Sequence, residues 1–309
     1  MTTDPFAELP PVLERDRYGR PLVVPPSGGK KVPFTRCTTF VGAAEDTYNL
    51  SQWSQRQVAI GLAKRPDLMG LVAAAGDDKH ALSDLVKQAH DAAASDKAAN
   101  TGTAIHSFTE QVDRRQIGAH DVPELYRDDV HAYLDVTAGW THRHIEAFMV
   151  LDEYKIGGTP DRLSEVPGYG LVVADVKTGS VDWGMGKIAS QLAVYSRSLL
   201  YDIASGARSP VPGLRTDVGI VIHVPAGTGT ARLLEVDLNA GWDGVELCAA
   251  IRAWRARKNL AREYVNPLAG MTPVDDDLPD DIDALRALWA DSDAATRARI
   301  EARVKELAA

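Results

Sequence analysis

The stretch Leu171-Val-Val-Ala-Asp-Val-Lys177 is the most apolar run in its neighbourhood, and two charged residues lie at its end. Its β-branched composition predicts a buried strand. Because side chains alternate between the two faces of a strand, Asp175 and Lys177 are expected on the same face. A carboxylate that ends a buried strand has a desolvation cost unless a cation or hydrogen-bond donors meet it. Asp175 is therefore a candidate site residue.

Asp161 lies fourteen residues before Asp175, directly after the turn Gly157-Gly-Thr-Pro160. From this position it can reach the face that carries Asp175 and Lys177. Paired carboxylates are suitable ligands for Mg²⁺ or Mn²⁺, and a nearby lysine could orient a water or offset the charge of a phosphate. The spacing alone favours a structural role, in which Asp161 is a turn residue, Asp175 is a charge on an edge strand and Lys177 is its solvated partner.

Four short motifs follow one another along the chain: Gly102-Thr-Ala-Ile-His106, Pro160-Asp161, Asp175-Val-Lys-Thr-Gly179 and Gln191-Leu-Ala-Val-Tyr195. They cover positions from residue 102 to residue 195, about a third of the chain. In order and spacing these motifs resemble the RecB-like branch of the PD-(D/E)XK nuclease superfamily. This branch includes recombination exonucleases and many phage exonucleases.

The resemblance implies an α/β fold of mixed α+β character. Its centre would be a PD-(D/E)XK restriction-endonuclease-like core, in which helices flank a mixed central sheet, with a helical N-terminal half. The resemblance also implies that His106, Asp161 and Asp175 hold Mg²⁺ or Mn²⁺, with the Val176 carbonyl as a further ligand. Lys177 would be the catalytic lysine, acting together with Asp161 and Asp175.

Six other residues are additional candidates. Gln191 and Tyr195 would line the DNA path or support the metal site. Glu110 follows His106 by four residues on the same helix face, and Glu146 precedes a predicted strand. Either could add a carboxylate to the site, or be a solvated surface charge. Two bases are candidates for phosphate contacts, or for ordinary solvated charges: Arg36 and Lys187.

Composition limits the other classes of function. The chain of 309 residues has 34 Lys+Arg and 43 Asp+Glu, a net charge of −9, which excludes a purely electrostatic nucleic-acid binder but not a local basic groove. Cys37 and Cys248 are too few for the iron–sulfur cluster that some relatives carry, so no cluster is expected. No apolar run is long enough to span a membrane, and the first residues do not form a signal peptide, so a cytoplasmic location is expected.

Periodicity predicts the order of the elements. Residues 1–34 are predicted to form an arm or hairpin, and residues 271–309 an acidic linker with C-terminal helices. The resemblance implies that residues 35–270 between them are a RecB-like nuclease domain. Within the nuclease domain, residues 50–144 are predicted to be helical and residues 145–264 to form the sheet core, with Ala147–Leu151 beside Leu171–Val176. The other predicted elements are a helix opening near Leu50 with Ser51 as N-cap, helices near 80–95, 123–140, 188–204 and 240–264, and strands at 217–224 and 231–238.

The expected function is that of a prokaryotic or bacteriophage DNA exonuclease. Such an enzyme is a metal-dependent hydrolase that cleaves phosphodiester bonds in DNA recombination, repair or end processing. Its partners would be single- or double-stranded DNA ends and a separate recombinase, single-strand-binding protein or helicase, because the chain has no P-loop; no membrane partner is expected. An alternative is a non-catalytic DNA-end or single-strand-binding module on the same fold.

Two rival motifs are less favoured. Gly184-Met-Gly-Lys-Ile-Ala189 fits a dinucleotide-binding pattern and would indicate an oxidoreductase, but Thr178–Trp183 separates it from the preceding strand. His142-Arg-His144 could belong to a metal site, but it lacks a third ligand nearby and is expected at an exposed helix end.

Overall fold

The computed structural model describes residues 11–93, 97–264 and 278–308. Contacts divide the chain into two units, Met1–Ala256 and Arg257–Ala309. Among the described residues no helix is both long and apolar enough to cross a membrane.

The described residues contain ten α-helices. They are α1 (Cys37–Val41), α2 (Tyr48–Lys64), α3 (Pro66–Ala75), α4 (Lys79–Ala93), α5 (Lys97–Asp113), α6 (Glu124–Val136), α7 (Met185–Ser196), α8 (Leu238–Arg255), α9 (Ile282–Trp289) and α10 (Ala294–Leu307). Three short 3₁₀ helices span Gly42–Ala44, Ala119–Asp121 and Asp152–Tyr154.

Twelve short strands accompany them in the described part of the chain. They are β1 (Leu22–Val23), β2 (Val32–Pro33), β3 (Thr35–Arg36), β4 (Thr141–Ile145), β5 (Met149–Leu151), β6 (Ile156–Gly158), β7 (Arg162–Val166), β8 (Gly170–Lys177), β9 (Leu199–Tyr201), β10 (Arg208–Ser209), β11 (Val218–His223) and β12 (Arg232–Asp237).

The sheet that carries β8 has the strand order β12-β11-β8-β7-β4. β4, β7 and β8 are antiparallel neighbours, whereas β8 and β11 run parallel and pair Asp175 with Val221. A parallel pair needs a crossover connection, and α7 lies within that connection. The sheet is therefore mixed, and the protein has a mixed α/β fold with β8 at the centre of this sheet.

Both faces of β8 are buried, because its alternate side chains enter two separate apolar clusters. Leu171 and Val173 pack with Leu192 of α7, while Val172 and Val176 pack on the other face with Ile105 of α5. Alternation continues to the end of the strand, so Asp175 belongs to the α7 face.

A second sheet, of order β10-β9-β5-β6-β3, corrects the predicted strand pairing. The prediction that Ala147–Leu151 neighbours Leu171–Val176 is wrong: β5 pairs with β6 and β9, and the neighbours of β8 are β7 and β11. The partner of β8 follows residues 157–160 instead of preceding them, and Gly157 and Gly158, predicted as part of a turn, lie on β6. Gly168, at φ +81°, lies in the tight β7–β8 connection, and Gly170, at φ +76°, begins β8. Within the described part of the chain the central sheet is thus one of two five-stranded sheets.

Several predicted helix ends also differ. α6 stops at Val136 and Gly139 has φ +80°, so His142-Arg-His144 lies on β4 instead of at a helix end. α7 ends at Ser196, because the apolar run Leu199–Tyr201 leaves the helix and pairs with β5.

The boundaries of α2 and α8 also differ from the predicted ones. α2 begins at Tyr48 with Thr47 at its N-cap, so Ser51 lies inside the helix. α8 begins at Leu238, since the Asp237 carboxylate accepts hydrogen bonds from the first-turn N–H groups, and it ends at Arg255, earlier than predicted. The predicted strands at 217–224 and 231–238 are confirmed as the antiparallel pair β11–β12.

The two ends of the chain are described in part. β1 and β2 pair as an antiparallel hairpin within the predicted N-terminal arm, of which residues 1–10 lie outside the described residues. The first part of the predicted acidic linker also lies outside them. The two predicted C-terminal helices are α9 and α10, which are separated near Ser292.

Close packing of α8 on α7 gives the first testable prediction. A Cβ at Gly241 would lie 2.4 Å from the Ala189 carbonyl oxygen, whereas a Cβ at Gly70, within α3, would meet nothing within 4 Å. We expect Gly241→Ala to lower the free energy of unfolding by about 1–3 kcal/mol through overpacking. The matched variant Gly70→Ala should raise it by about 0.5–1 kcal/mol, because alanine is the better helix former. Urea denaturation measures both, and equal effects would contradict the packing.

Candidate functional site

The site begins with two charged side chains at the end of β8. Only 2 % of the Asp175 side chain is exposed, and its Oδ2 forms an ion pair with Lys177 Nζ. The Lys177 side chain is 27 % exposed. On the other oxygen, Asp175 Oδ1 accepts a hydrogen bond of 3.4 Å from Gln191 Nε2 of α7. The prediction that Asp175 and Lys177 share one face of the strand is confirmed by their contact.

Asp161 reaches the same strand end from just before β7. Arg162, the first residue of β7, is paired with Ala174, so β7 provides no partner for the N–H of Val176. The Asp161 carboxylate takes this place: its Oδ2 accepts the Val176 N–H at 2.7 Å. The two motif carboxylates are thereby fixed to consecutive residues of one strand.

His106 joins the group from α5. Its Nδ1 lies 3.4 Å from Asp161 Oδ2. The helix approaches the strand end closely, because a Cβ at Gly102 would lie 2.4 Å from Thr178 Oγ1. Burial lowers the pKa of His106, and although the charge of Asp175 opposes this shift, Lys177 reinforces it. The lowered pKa favours the neutral imidazole, which is the form that binds metal ions.

The acidic groups have raised pKa values. Burial, followed by the charge of Asp161, raises the pKa of Asp175 to about 6. Burial also raises the pKa of Asp161, against the opposing effects of Lys177 and of the Val176 N–H. The negative charges of Asp161 and Asp175 are thus only partly offset by nearby cations and donors. A divalent cation would lower the free-energy cost of ionising both carboxyl groups.

Glu146 and Glu110 lie beside this pair. Glu146 follows β4 with φ +52°, a conformation that non-glycine residues seldom adopt and that is enriched at functional sites. Its N–H donates to the Asp161 carbonyl at 3.1 Å. Although Glu146 is exposed overall, partial loss of hydration raises its pKa to about 7, and the charges of Asp161 and Glu110 add to the shift. Glu110 is paired with Arg114 at 2.8 Å.

The remaining predicted residues lie further out. Tyr195 is buried against Cys37 and Gly158, and it shares a hydrogen bond with Gln191, so both α7 residues are in a supporting position rather than on an open surface. Arg36 is exposed on β3, and Lys187 is paired with Glu45 at 2.7 Å. The described contacts connect neither base to the Asp175–Lys177 pair.

The buried group behind Asp161 was not predicted from the sequence. Arg162 pairs with Asp113 of α5, which also contacts Tyr133 and His142. The available signal was an arginine placed directly after Pro160-Asp161, at the start of the strand Arg162–Val166.

His106, Asp161 and Asp175 can be assessed as ligands for a divalent metal ion. Within the described ranges, no three His, Cys, Asp or Glu side chains form an arrangement that could hold a metal ion. The chemistry of the donors nevertheless fits Mg²⁺ or Mn²⁺: Asp161 and Asp175 are carboxyl groups whose negative charge is only partly offset by nearby cations, and burial lowers the pKa of His106, which favours the neutral imidazole.

Comparison with known proteins adds no assignment. No protein-family model matches the chain, and a search of curated proteins finds no significant match. The residues of the site therefore carry the functional proposal.

The raised pKa of Glu146 predicts a pH-dependent stability. Its folded-state pKa of about 7 exceeds the ordinary value of 4.5, so the folded chain binds the extra proton between these pH values. Stability from this group is full below about pH 4.5 and is lost as the pH rises to about 7. We expect Glu146→Gln to lose less thermal stability than the unaltered chain between pH 5 and pH 8.

Melting temperatures at the two pH values measure this difference. The control is Glu124→Gln, which removes an exposed carboxylate at the start of α6. The pH response of this control should match that of the unaltered chain. An unchanged pH response in Glu146→Gln would contradict the assigned electrostatics.

Proposed function

We propose that the chain is a metal-dependent deoxyribonuclease, a RecB-like PD-(D/E)XK exonuclease that hydrolyses phosphodiester bonds at DNA ends. One observation carries the proposal. Residues from three motifs that are far apart in the sequence converge on the end of β8, where Asp161 and His106 meet the strand beside the Asp175–Lys177 pair. A set of solvated surface charges would not require burial of Asp175.

The fold supports the same proposal at a coarser level. The resemblance implies a mixed central sheet flanked by helices, and β8 lies in a mixed sheet packed between α5 on one face and α7 on the other. Asp161, Asp175 and Lys177 all meet at one end of this sheet, which supports the proposal.

Lys177 is the group available to a ligand. Its side chain is partly exposed while Asp175 is buried, so the carboxylate orients the lysine and the ammonium can contact a phosphate oxygen or a water. Gln191 in turn holds the other oxygen of Asp175. Mg²⁺ or Mn²⁺, held by His106, Asp161, Asp175 and the Val176 carbonyl, would polarise the phosphate and lower the pKa of a bound water.

The proposed biological setting follows from the resemblance. The enzyme would act in recombination, repair or DNA end processing in the cytoplasm of a prokaryotic or phage-infected cell, with any helicase, recombinase or single-strand-binding protein supplied by another chain. Because the net charge is −9, DNA would need a locally positive path, to which Lys177, Arg36 and Lys187 could contribute.

Cleavage of end-labelled DNA tests the proposal. With Mg²⁺ or Mn²⁺ the unaltered chain should degrade single- or double-stranded DNA, and EDTA should abolish the activity. We expect Lys177→Ala to lower kcat by roughly 100-fold to 10,000-fold and to retain DNA binding, because it removes the group that orients the attacking water. Asp175→Asn should have a comparable effect.

Lys79→Ala, which removes an exposed lysine at the start of α4, is the matched control and should retain full activity. If the unaltered chain binds DNA ends and cleaves neither substrate with either metal, the non-catalytic DNA-binding module replaces the nuclease.

A further inference from the structure

Asp161 is held by its main chain as well as by its carboxylate. Its carbonyl oxygen accepts hydrogen bonds from Arg162 Nη1 at 2.9 Å and from the Glu146 N–H at 3.1 Å. Its Oδ2 accepts the Val176 N–H at 2.7 Å. Both ends of the residue are therefore fixed, and among the described residues the charged donor to the main-chain end comes from Arg162.

Arg162 is itself fixed from behind. Its side chain is 2 % exposed, and its Nε donates to Asp113 Oδ2 at 2.6 Å. Asp113 is 3 % exposed and also accepts the Tyr133 hydroxyl at 2.6 Å, while His142 Nε2 lies 3.3 Å from its other oxygen. The opposite ring nitrogen of His142 is 2.8 Å from Ser164 Oγ. Three elements, α5, α6 and β4, thus determine the orientation of one guanidinium.

Stability alone does not account for this arrangement. Burying an ion pair costs desolvation that its attraction often only balances, and well-packed apolar residues of similar volume are frequently as stable. In addition, Arg162 Nη2 is buried without a hydrogen-bond partner among the described residues. Arg162 thus leaves one donor unsatisfied and directs another at the carbonyl oxygen of Asp161. Its burial is explained better by this contact with Asp161 than by a gain in stability.

We propose that Arg162 is a positioning residue, whose planar fork joins Asp113 to the Asp161 carbonyl and so holds the Asp161 carboxylate ready for a divalent metal ion. The inference rests on the proposed function. Because Asp113 neutralises Arg162, the pair fixes Asp161 without adding net positive charge that would repel the ion. Arginine is needed because a lysine ammonium cannot provide two donors in this fixed geometry.

The test compares two paired apolar replacements. The double variant Arg162→Met with Asp113→Leu removes the Arg162–Asp113 pair, which is the proposed brace of Asp161. Arg208→Met with Asp152→Leu is the matched control, because Arg208 also binds a carboxylate through two nitrogens, at 2.7 and 2.8 Å, and donates to the Val24 carbonyl, with no bond to a site residue. Isothermal titration with Mn²⁺ measures metal affinity, circular dichroism checks the fold, and cleavage kinetics separate kcat from KM.

We expect the Arg162/Asp113 replacement to weaken Mn²⁺ binding about 10-fold to 100-fold, as is typical when a group that orients a metal ligand is lost. It should lower kcat by a similar factor and leave KM for DNA unchanged. The Arg208/Asp152 control should retain the Mn²⁺ affinity of the unaltered chain. Arg162→Lys keeps the positive charge and loses the planar guanidinium, and it should weaken Mn²⁺ binding at least 10-fold. If the double replacement does not fold, this single variant tests the positioning role.

The contrary outcomes are distinct. If the unaltered chain binds Mn²⁺ and Arg162→Lys binds it equally well, the positioning role is overturned while the proposed nuclease stands. Equal weakening in the Arg208/Asp152 control would also overturn it, since the effect would then belong to any lost ion pair. If the unaltered chain neither binds Mn²⁺ nor cleaves DNA, the proposed function fails and the positioning role fails with it.

Discussion

The burial of one carboxylate, that of Asp175, is the constraint on which this part of the molecule depends. It ends a strand that is enclosed on both faces, where an uncompensated anion is costly. Lys177 meets one of its oxygens and Gln191 the other, so the strand end and α7 are tied together at a single group. Moving α7 away would expose apolar residues and also leave Asp175 with one partner fewer.

The charges around Asp175 do not balance. Asp161 and Glu146 add two carboxyl groups, and their pKa values are raised, as is that of Asp175. Lys177 is the cation in contact with Asp175, while Arg162 is neutralised by Asp113. A fold that accepts this excess of acidic groups gains stability from any cation that binds there. This electrostatic property links the geometry of the site to the proposed metal chemistry, independently of the motif resemblance.

The sequence predicted local features well and long-range pairing poorly. The apolar run at residues 171–177 correctly indicated a buried strand with Asp175 and Lys177 on one face, because alternation is a local property. The predicted partner of this strand was wrong, because β5 and β7 are both short strands that lie close to β8 in the sequence, and only tertiary contacts assign them to different sheets. The run Leu199–Tyr201 fitted a helix face by periodicity but pairs as a strand. Arg162 escaped notice because a charged residue in a strand ordinarily faces solvent, and its burial depends on Asp113, 49 residues away.

The pairing register of β7 determines where both Asp161 and the Arg162–Asp113 pair lie. Arg162 lies opposite Ala174, and Leu163 lies opposite Val173 on the α7 face, so alternation directs Arg162 towards α5 and α6. A slip of one residue would exchange these faces and place the guanidinium among the apolar side chains of α7. On its other side, β7 meets β4 with a shift of register between His142 and His144. Because a bulge inserts one extra residue, β4 can place His142 against Asp113 and still be followed by Glu146 beside Asp161. The irregular pairing of one edge strand thus places both His142, beside Asp113, and Glu146, beside Asp161, which explains why these two contacts could not be inferred from a regular strand pattern.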